Sequence, residues 1–188
     1  CAIVEPEATN GDQGMSNAAF LIIGNEILSG RTKDANLAYL AGCLTEWGVG
    51  LREVRVVADD SAAIVAAVQE LSQRYDYVFT SGGIGPTHDD STAENVAKAM
   101  GSELHLEPKA HALLQAHYRR SKLELNEARL KMAYLPVGSS HIDNPVSTAP
   151  GFVLANVYVM AGVPSVFQAM VASVLPTLTG GSPLLSQT

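Results

Sequence analysis

The sequence predicts an α/β fold: three layers, α/β/α, around a mostly parallel sheet with an antiparallel strand or hairpin at one edge. Three observations carry this reading. Residues 18–23 (AAFLII) form an unbroken apolar run closed by Gly24, the pattern of a strand buried on both faces. Further apolar runs alternate with helix-period segments at strand–helix–strand spacing, which implies right-handed crossovers and parallel neighbours. Near the end, residues 152–154 and Val157–Met160 are separated only by Ala155-Asn156, a tight hairpin.

The elements follow in order. After the strand at 18–23, Asp34 can cap a helix in which Leu37, Leu40, Ala41 and Leu44 recur on one face, and Gly48 stops it. A strand at 51–57 leads to a helix started by Asp60 or Ser61, with Ile64, Val65, Val68 and Leu71 inward. Tyr77–Ser81 is a third strand and opens into a glycine-rich turn. Helices are expected over 91–100, Pro108–Arg120 and 124–134, the last polar enough for the surface. Pro164 suits the first position of a final helix that turns Phe167, Met170, Val171 and Val174 inward.

Composition bounds the rest. With 188 residues, 47% hydrophobic and 16% charged, the chain suits one globular domain, taken as 18–180, between an extension (1–17) and a tail (181–188). No apolar run approaches the roughly 20 residues of a membrane span, and no secretory signal is evident, so the expected location is cytoplasmic. A net charge of −7 argues against nucleic acid, because only Arg119, Arg120 and Lys122 cluster. Cys1 and Cys43 make no disulfide framework, and Cys43 lies within a helical apolar pattern.

In open α/β sheets ligands bind beyond the carboxyl ends of the strands, so the loops that follow strands carry the functional signal. Thr80-Ser81-Gly82-Gly83-Ile84-Gly85-Pro86-Thr87-His88-Asp89-Asp90 is the most informative. Glycines let a ligand approach the main-chain amides, and consecutive amides before a helix form an anion-binding nest. The loop is neither a Walker loop nor a GxGxxG fingerprint. Asp89 and Asp90 would repel a bare phosphate. A Mg²⁺ ion could bridge them to it, a carboxylate could accept N–H groups of a pterin- or guanine-like ring, or one aspartate could cap the next helix. Glu26, after Gly24, adds a further carboxylate, and Asp59 closes the second strand. Ser147, Thr148 and Gly151, with Gly162 and Pro164, mark two later loops suited to ligand contact. His88 has no spaced partner for a zinc site, and no serine stands in a nucleophile elbow.

At these loops the chain resembles the MoaB/Mog-like molybdopterin-binding domains. It is most similar to the amino-terminal domain of the competence/damage-inducible CinA type. The segments that carry the likeness are IGNEILSGRTKDANLAYLA (23–41), SGGIGPTHDDSTAE (81–94), NPVSTAPGF (144–152) and AGVPS (161–165). The resemblance implies a homo-oligomer with a pocket for molybdopterin or an adenine nucleotide and a divalent cation such as Mg²⁺. Carried over by position, it points to Ser81, Gly82, Gly83, Gly85, Thr87 and Asp90, with Asp59 as a second acidic candidate. Asp90 and Asp59 would then be catalytic, and Asp89, Asp90 and Glu26 metal-binding. Three departures stand out: Asn25 replaces the usual aspartate of Gly-Asp-Glu, Val166 a common glutamate, and Ala161 a common proline. They weaken transfer of metal-dependent catalysis more than transfer of binding. Longer CinA-type chains continue into a deamidase domain, whose activity is not carried over. Three functions are therefore open: a molybdopterin-binding or adenylylating protein of molybdenum cofactor biosynthesis, a divalent-metal-dependent ADP-ribose or FAD pyrophosphatase, and a non-catalytic ligand-binding module.

Overall fold

The computed structural model describes residues 15–180. The chain enters β1 (Asn17–Ile23), makes a one-turn helix α1 (Asn25–Leu28), and continues through α2 (Asn36–Glu46), β2 (Gly50–Val57) and α3 (Ser61–Arg74). It returns through β3 (Tyr77–Ser81) to α4 (Thr92–Ala99), β4 (Leu104–Leu106), α5 (Pro108–Arg120) and α6 (Glu127–Leu130). Last come β5 (Tyr134–Pro136), β6 (Ser140–Ile142), β7 (Gly151–Leu154), β8 (Val157–Met160) and α7 (Pro164–Val174).

Six strands form one mixed sheet in the order β2-β1-β3-β8-β7-β6, and β4 and β5 pair separately. The pairs β1–β2, β1–β3 and β3–β8 are parallel, whereas β7 runs antiparallel to both β8 and β6. All of residues 18–23 are buried, as expected of a central strand covered on both faces. Phe20 meets Phe167 of α7 at a ring-centroid distance of 5.6 Å, and Phe79 meets Tyr158 at 5.1 Å. Each such buried aromatic or aliphatic side chain contributes about 1.5–3 kcal/mol. The apolar stripes of the helices close the core as read: Leu40 and Leu44 on α2, Ile64, Val68 and Leu71 on α3, and Phe167, Met170, Val171 and Val174 on α7 are buried. Two helix starts also form as expected, Asp60 accepting from the Ala63 amide at 2.9 Å and Asp34 from the Leu37 amide at 2.7 Å.

Several expectations need correction. The helix expected over 124–134 breaks into α6, a 3₁₀ turn over 131–133 and β5. Asn126 caps α6 by accepting from the Arg129 amide at 3.0 Å, and β4 supplies ladder partners that a continued helix would forfeit. β4 and β6 are three-residue strands with no pattern of their own. The β7–β8 hairpin lies near one edge as expected, and β6 extends the antiparallel side by one further strand. The loop after β1 coils into α1, and β1 starts at Asn17, one residue before the apolar run. Residues 1–14 of that extension and the tail 181–188 lie outside the described residues. Among the described residues no helix is long and apolar enough to cross a membrane.

Candidate functional site

From β1 the chain moves outward to β2, then crosses back to β3 on the other side of β1. The strand order therefore reverses between β1 and β3, where open α/β sheets leave a crevice beyond the carboxyl ends. Register makes those ends level: Ile22 pairs with Ser81, and Ser81 with Met160. Gly24, Gly82 and Ala161-Gly162 consequently leave the sheet side by side. A cavity of about 100 Å³ opens there, lined by Ile22, Ile23, Glu26, Ile27, Lys33, Asp34, Asn36, Ser81, Gly82, Gly162 and Pro164. Five of the residues singled out in the sequence, Glu26, Ser81, Gly82, Gly162 and Pro164, thus meet in one place. Gly24 belongs beside them, because the Glu26 carboxylate lies 2.7 Å from where a Cβ on Gly24 would stand.

The glycine-rich loop is held from both sides. The Gly82 amide donates to the Met160 carbonyl at 3.1 Å. The Thr92 hydroxyl donates to the Gly82 carbonyl at 3.0 Å, and the Thr92 amide to the Gly83 carbonyl at 3.0 Å. Gly82 and Gly83 have φ of +102° and +70°, and a Cβ on either would strike the Ile23 carbonyl at 2.2 Å or the Thr92 hydroxyl at 2.1 Å. Among the described residues, the amides of Gly83, Ile84 and Gly85 have no protein acceptor. These three residues line a second, smaller cavity of about 30 Å³ with Asp90, Glu94, Lys131 and Tyr134. The loop therefore separates two spaces, one beside Gly82 and one beside 83–85.

The acidic candidates are dispersed. Asp90 accepts from the Thr87 amide at 2.9 Å and also from the Thr87 hydroxyl, so its carboxylate fastens its own loop. Asp89 is exposed and stands 2.7 Å from exposed His88, an arrangement of little energetic weight. Asp59 accepts from the Asn25 amide at 2.8 Å and ties the end of β2 to α1. Among the described residues no three His, Cys, Asp or Glu side chains gather so as to hold a metal ion. The structure does not bring Glu26, Asp89 and Asp90 together as a preassembled metal site.

Ser147 and Thr148 face elsewhere. They line a cavity of about 650 Å³ with Lys109 and Leu113 of α5, His141, Asp143 and the α7 residues Ala169, Ala172 and Ser173. His141 Nδ1 is buried there 3.3 Å from Asp143 Oδ1, without a well-aligned hydrogen bond. Burial, then the charge of Lys109, holds the His141 pKa below its ordinary value; Lys109, bonded to Asp143 at 2.7 Å, depresses the Asp143 pKa. Gly151 is a packing glycine, its missing Cβ being 2.9 Å from both Met170 Sδ and the Val159 carbonyl.

Sequence reasoning missed Asn36. It sits in the first turn of α2, 3% exposed, and its Nδ2 donates to the Gly162 carbonyl at 2.9 Å. Its Oδ1 is buried with no partner. The signal was present: Asn36, Leu40 and Leu44 follow one another at i+4, so a polar residue continues the apolar stripe.

Residues 19–180 match a family described as a probable molybdopterin binding domain. A protein of Caldivirga maquilingensis is 39% identical over 165 residues, covering 86% of this chain and 64% of that protein. A CinA-like protein of Citrifermentans bemidjiense is 42% identical over 167 residues, covering 86% of this chain and 40% of its own length. The chain thus spans less than two thirds of either relative. Among solved structures, CinA of Thermoplasma acidophilum, described as of unknown function, has a TM-score of 0.79 at 36% identity over 87% of this chain and 98% of that one. The molybdopterin biosynthesis enzyme MoaB of Thermus thermophilus has a TM-score of 0.57 at 18% identity, over 87% of this chain and 92% of its own, a likeness of fold alone.

Proposed function

Because the chain belongs to the probable molybdopterin-binding domain family, we propose that it binds a pterin of the molybdopterin class, or a nucleotide, in the crevice beyond β1, β3 and β8. One observation carries the reading: the reversal in strand order places a cavity beside a loop whose amides at 83–85 are free of protein acceptors. Consecutive free amides next to the amino end of α4 suit the anionic part of such a ligand. Molybdopterin or a nucleotide supplies both parts, a flat ring and a phosphate.

The reading extends to work in molybdenum cofactor biosynthesis, in the cytoplasm and as a homo-oligomer. A divalent cation, if used, would arrive with the ligand's phosphate oxygens and take one or two carboxylates, as Mg²⁺ commonly does. Glu26 and Asp34 line the crevice, and Asp34 already accepts from the Leu37 amide, which leaves Glu26 as the carboxylate for that role.

Calorimetric titration with molybdopterin, ATP and ADP-ribose, each with and without Mg²⁺, tests the proposal. Saturable heat with at least one of them is expected; none with any would overturn it. Release of AMP from ADP-ribose or FAD in the same mixtures would establish pyrophosphatase action, and transfer of AMP to molybdopterin would establish adenylylation.

A further inference from the structure

The crevice beside Gly82 and the space beside 83–85 differ in chemistry. The crevice has apolar walls from Ile22, Ile23, Ile27 and Pro164. Its polar lining includes the acceptor-bearing residues Glu26, Asp34 and Asn36, and Asn36 Oδ1 is buried with no partner. Among the described residues, Lys33 is the one cationic side chain lining it. Each space is lined by two acidic residues and a lysine, Glu26, Asp34 and Lys33 in the crevice and Asp90, Glu94 and Lys131 beside 83–85, so what sets the second apart for an anion is the row of amides at 83–85 without a protein acceptor. A flat ring with N–H groups along one edge fits both the walls and the acceptors.

Asn36 sets the direction of that fit. A side-chain amide has two donor hydrogens and one acceptor oxygen, and which end points where is decided by its hydrogen bonds. The Gly162 carbonyl can only accept, so the Asn36 atom 2.9 Å from it is the nitrogen. The oxygen is therefore held in place, buried and without a protein donor. A buried acceptor left unmatched costs free energy, so a ligand that brings a donor gains by meeting it.

We propose that Asn36 Oδ1 accepts an N–H from the ligand's ring, making Asn36 the residue that selects the amino-bearing edge of a pterin-type heterocycle. The ring lies in the Asn36 crevice, and the ligand's anionic part lies across the loop at the amides of 83–85. This rests on the reading that a ring-bearing ligand occupies the crevice. It adds which part lies where and which atom reads it.

Pterin and lumazine differ at position 2, where the exocyclic amino group of pterin becomes a carbonyl oxygen and the adjacent ring N1 gains a hydrogen, so the pair replaces the exocyclic donor by an acceptor with little change in shape. Fluorescence titration of the wild-type chain should give at least about tenfold tighter binding of pterin, equivalent to about 1.4 kcal/mol. In Asn36→Leu the ratio should fall toward one, and Asn36→Asp, which keeps an acceptor oxygen but loses the donor that the Gly162 carbonyl fixes, should give a ratio between those of the wild type and the leucine variant. The wild-type ratio is decisive even if the leucine variant does not fold, which circular dichroism will show. Equal binding of both rings by the wild type, or an undiminished ratio in a folded Asn36→Leu, overturns the inference. Failure to bind pterin while ATP or ADP-ribose binds overturns it too and leaves the broader proposal standing. Failure to bind any of the probes removes both.

Discussion

Asp90 Oδ2 accepts a hydrogen bond from the Thr87 amide at 2.9 Å, and the Asp90 amide donates back to the Thr87 carbonyl at 3.2 Å. The reciprocal pair closes the turn that follows the glycines. Asp90→Asn keeps an acceptor at the same place, so it should retain ligand affinity within about threefold. Asp90→Ala opens the turn and should weaken binding by about tenfold, the value of roughly 1.4 kcal/mol of lost order. Calorimetry on both variants checks this. If asparagine loses as much as alanine, the charge itself serves the ligand or a metal.

The loop's backbone admits no side chain at its first glycine. Gly82→Ala would place Cβ 2.2 Å from the Ile23 carbonyl at a φ of +102°, and neither backbone can yield easily. A loss of about 2–4 kcal/mol is expected from strain and overpacking together. Urea denaturation should show a lower midpoint with an unchanged slope. At Gly83 the obstacle is a side chain, Thr92 Oγ1. Gly83→Ala combined with Thr92→Ala should therefore cost measurably less than the sum of the two single substitutions.

Asp59 has a structural duty that any catalytic one must share. Its carboxylate holds the Asn25 amide at 2.8 Å. Asp59→Ala should lower stability by about 1 kcal/mol, discounted for partial exposure, and Asp59→Asn by less. Parallel urea melts and ligand titrations separate the roles. Full stability with abolished turnover in Asp59→Asn would identify a catalytic carboxylate.

His141 should make stability depend on pH. Burial, followed by Lys109, lowers its folded pKa below 6.5, while Asp143 and Glu107 act in the opposite direction. A lowered folded value means that the unfolded chain binds the proton first as pH falls. The contribution is complete above about 6.5, the unfolded value, and is lost as pH falls from there through the lowered folded value. Melting temperature should therefore drop between pH 7 and 5. In His141→Gln that part of the drop should vanish, leaving the carboxylate-driven loss at lower pH.

What could be read from the chain alone and what could not divide on physical lines. Elements with a strong period were legible. Residues 18–23 could only be a doubly buried strand, and the stripes ending at Leu44 and Leu71 could only be amphipathic helices. Three-residue strands such as β4 and β6 carry no period, and they form because a neighbour offers hydrogen bonds. The helical pattern at 124–134 yields to β5 for the same reason.

The site divides in the same way. The sequence by itself determined that glycine-rich turns with acidic neighbours follow β1 and β3, because local backbone chemistry demands glycine there. Only the tertiary structure decided which polar groups remain available. Asp59 is engaged by the Asn25 amide, 34 residues away, while Asn36, unremarkable in the chain, is anchored at the crevice by the Gly162 carbonyl, 126 residues away. Hydrogen-bond demand is met by whatever neighbour the fold delivers, and a linear sequence does not specify those neighbours until the strands are in register.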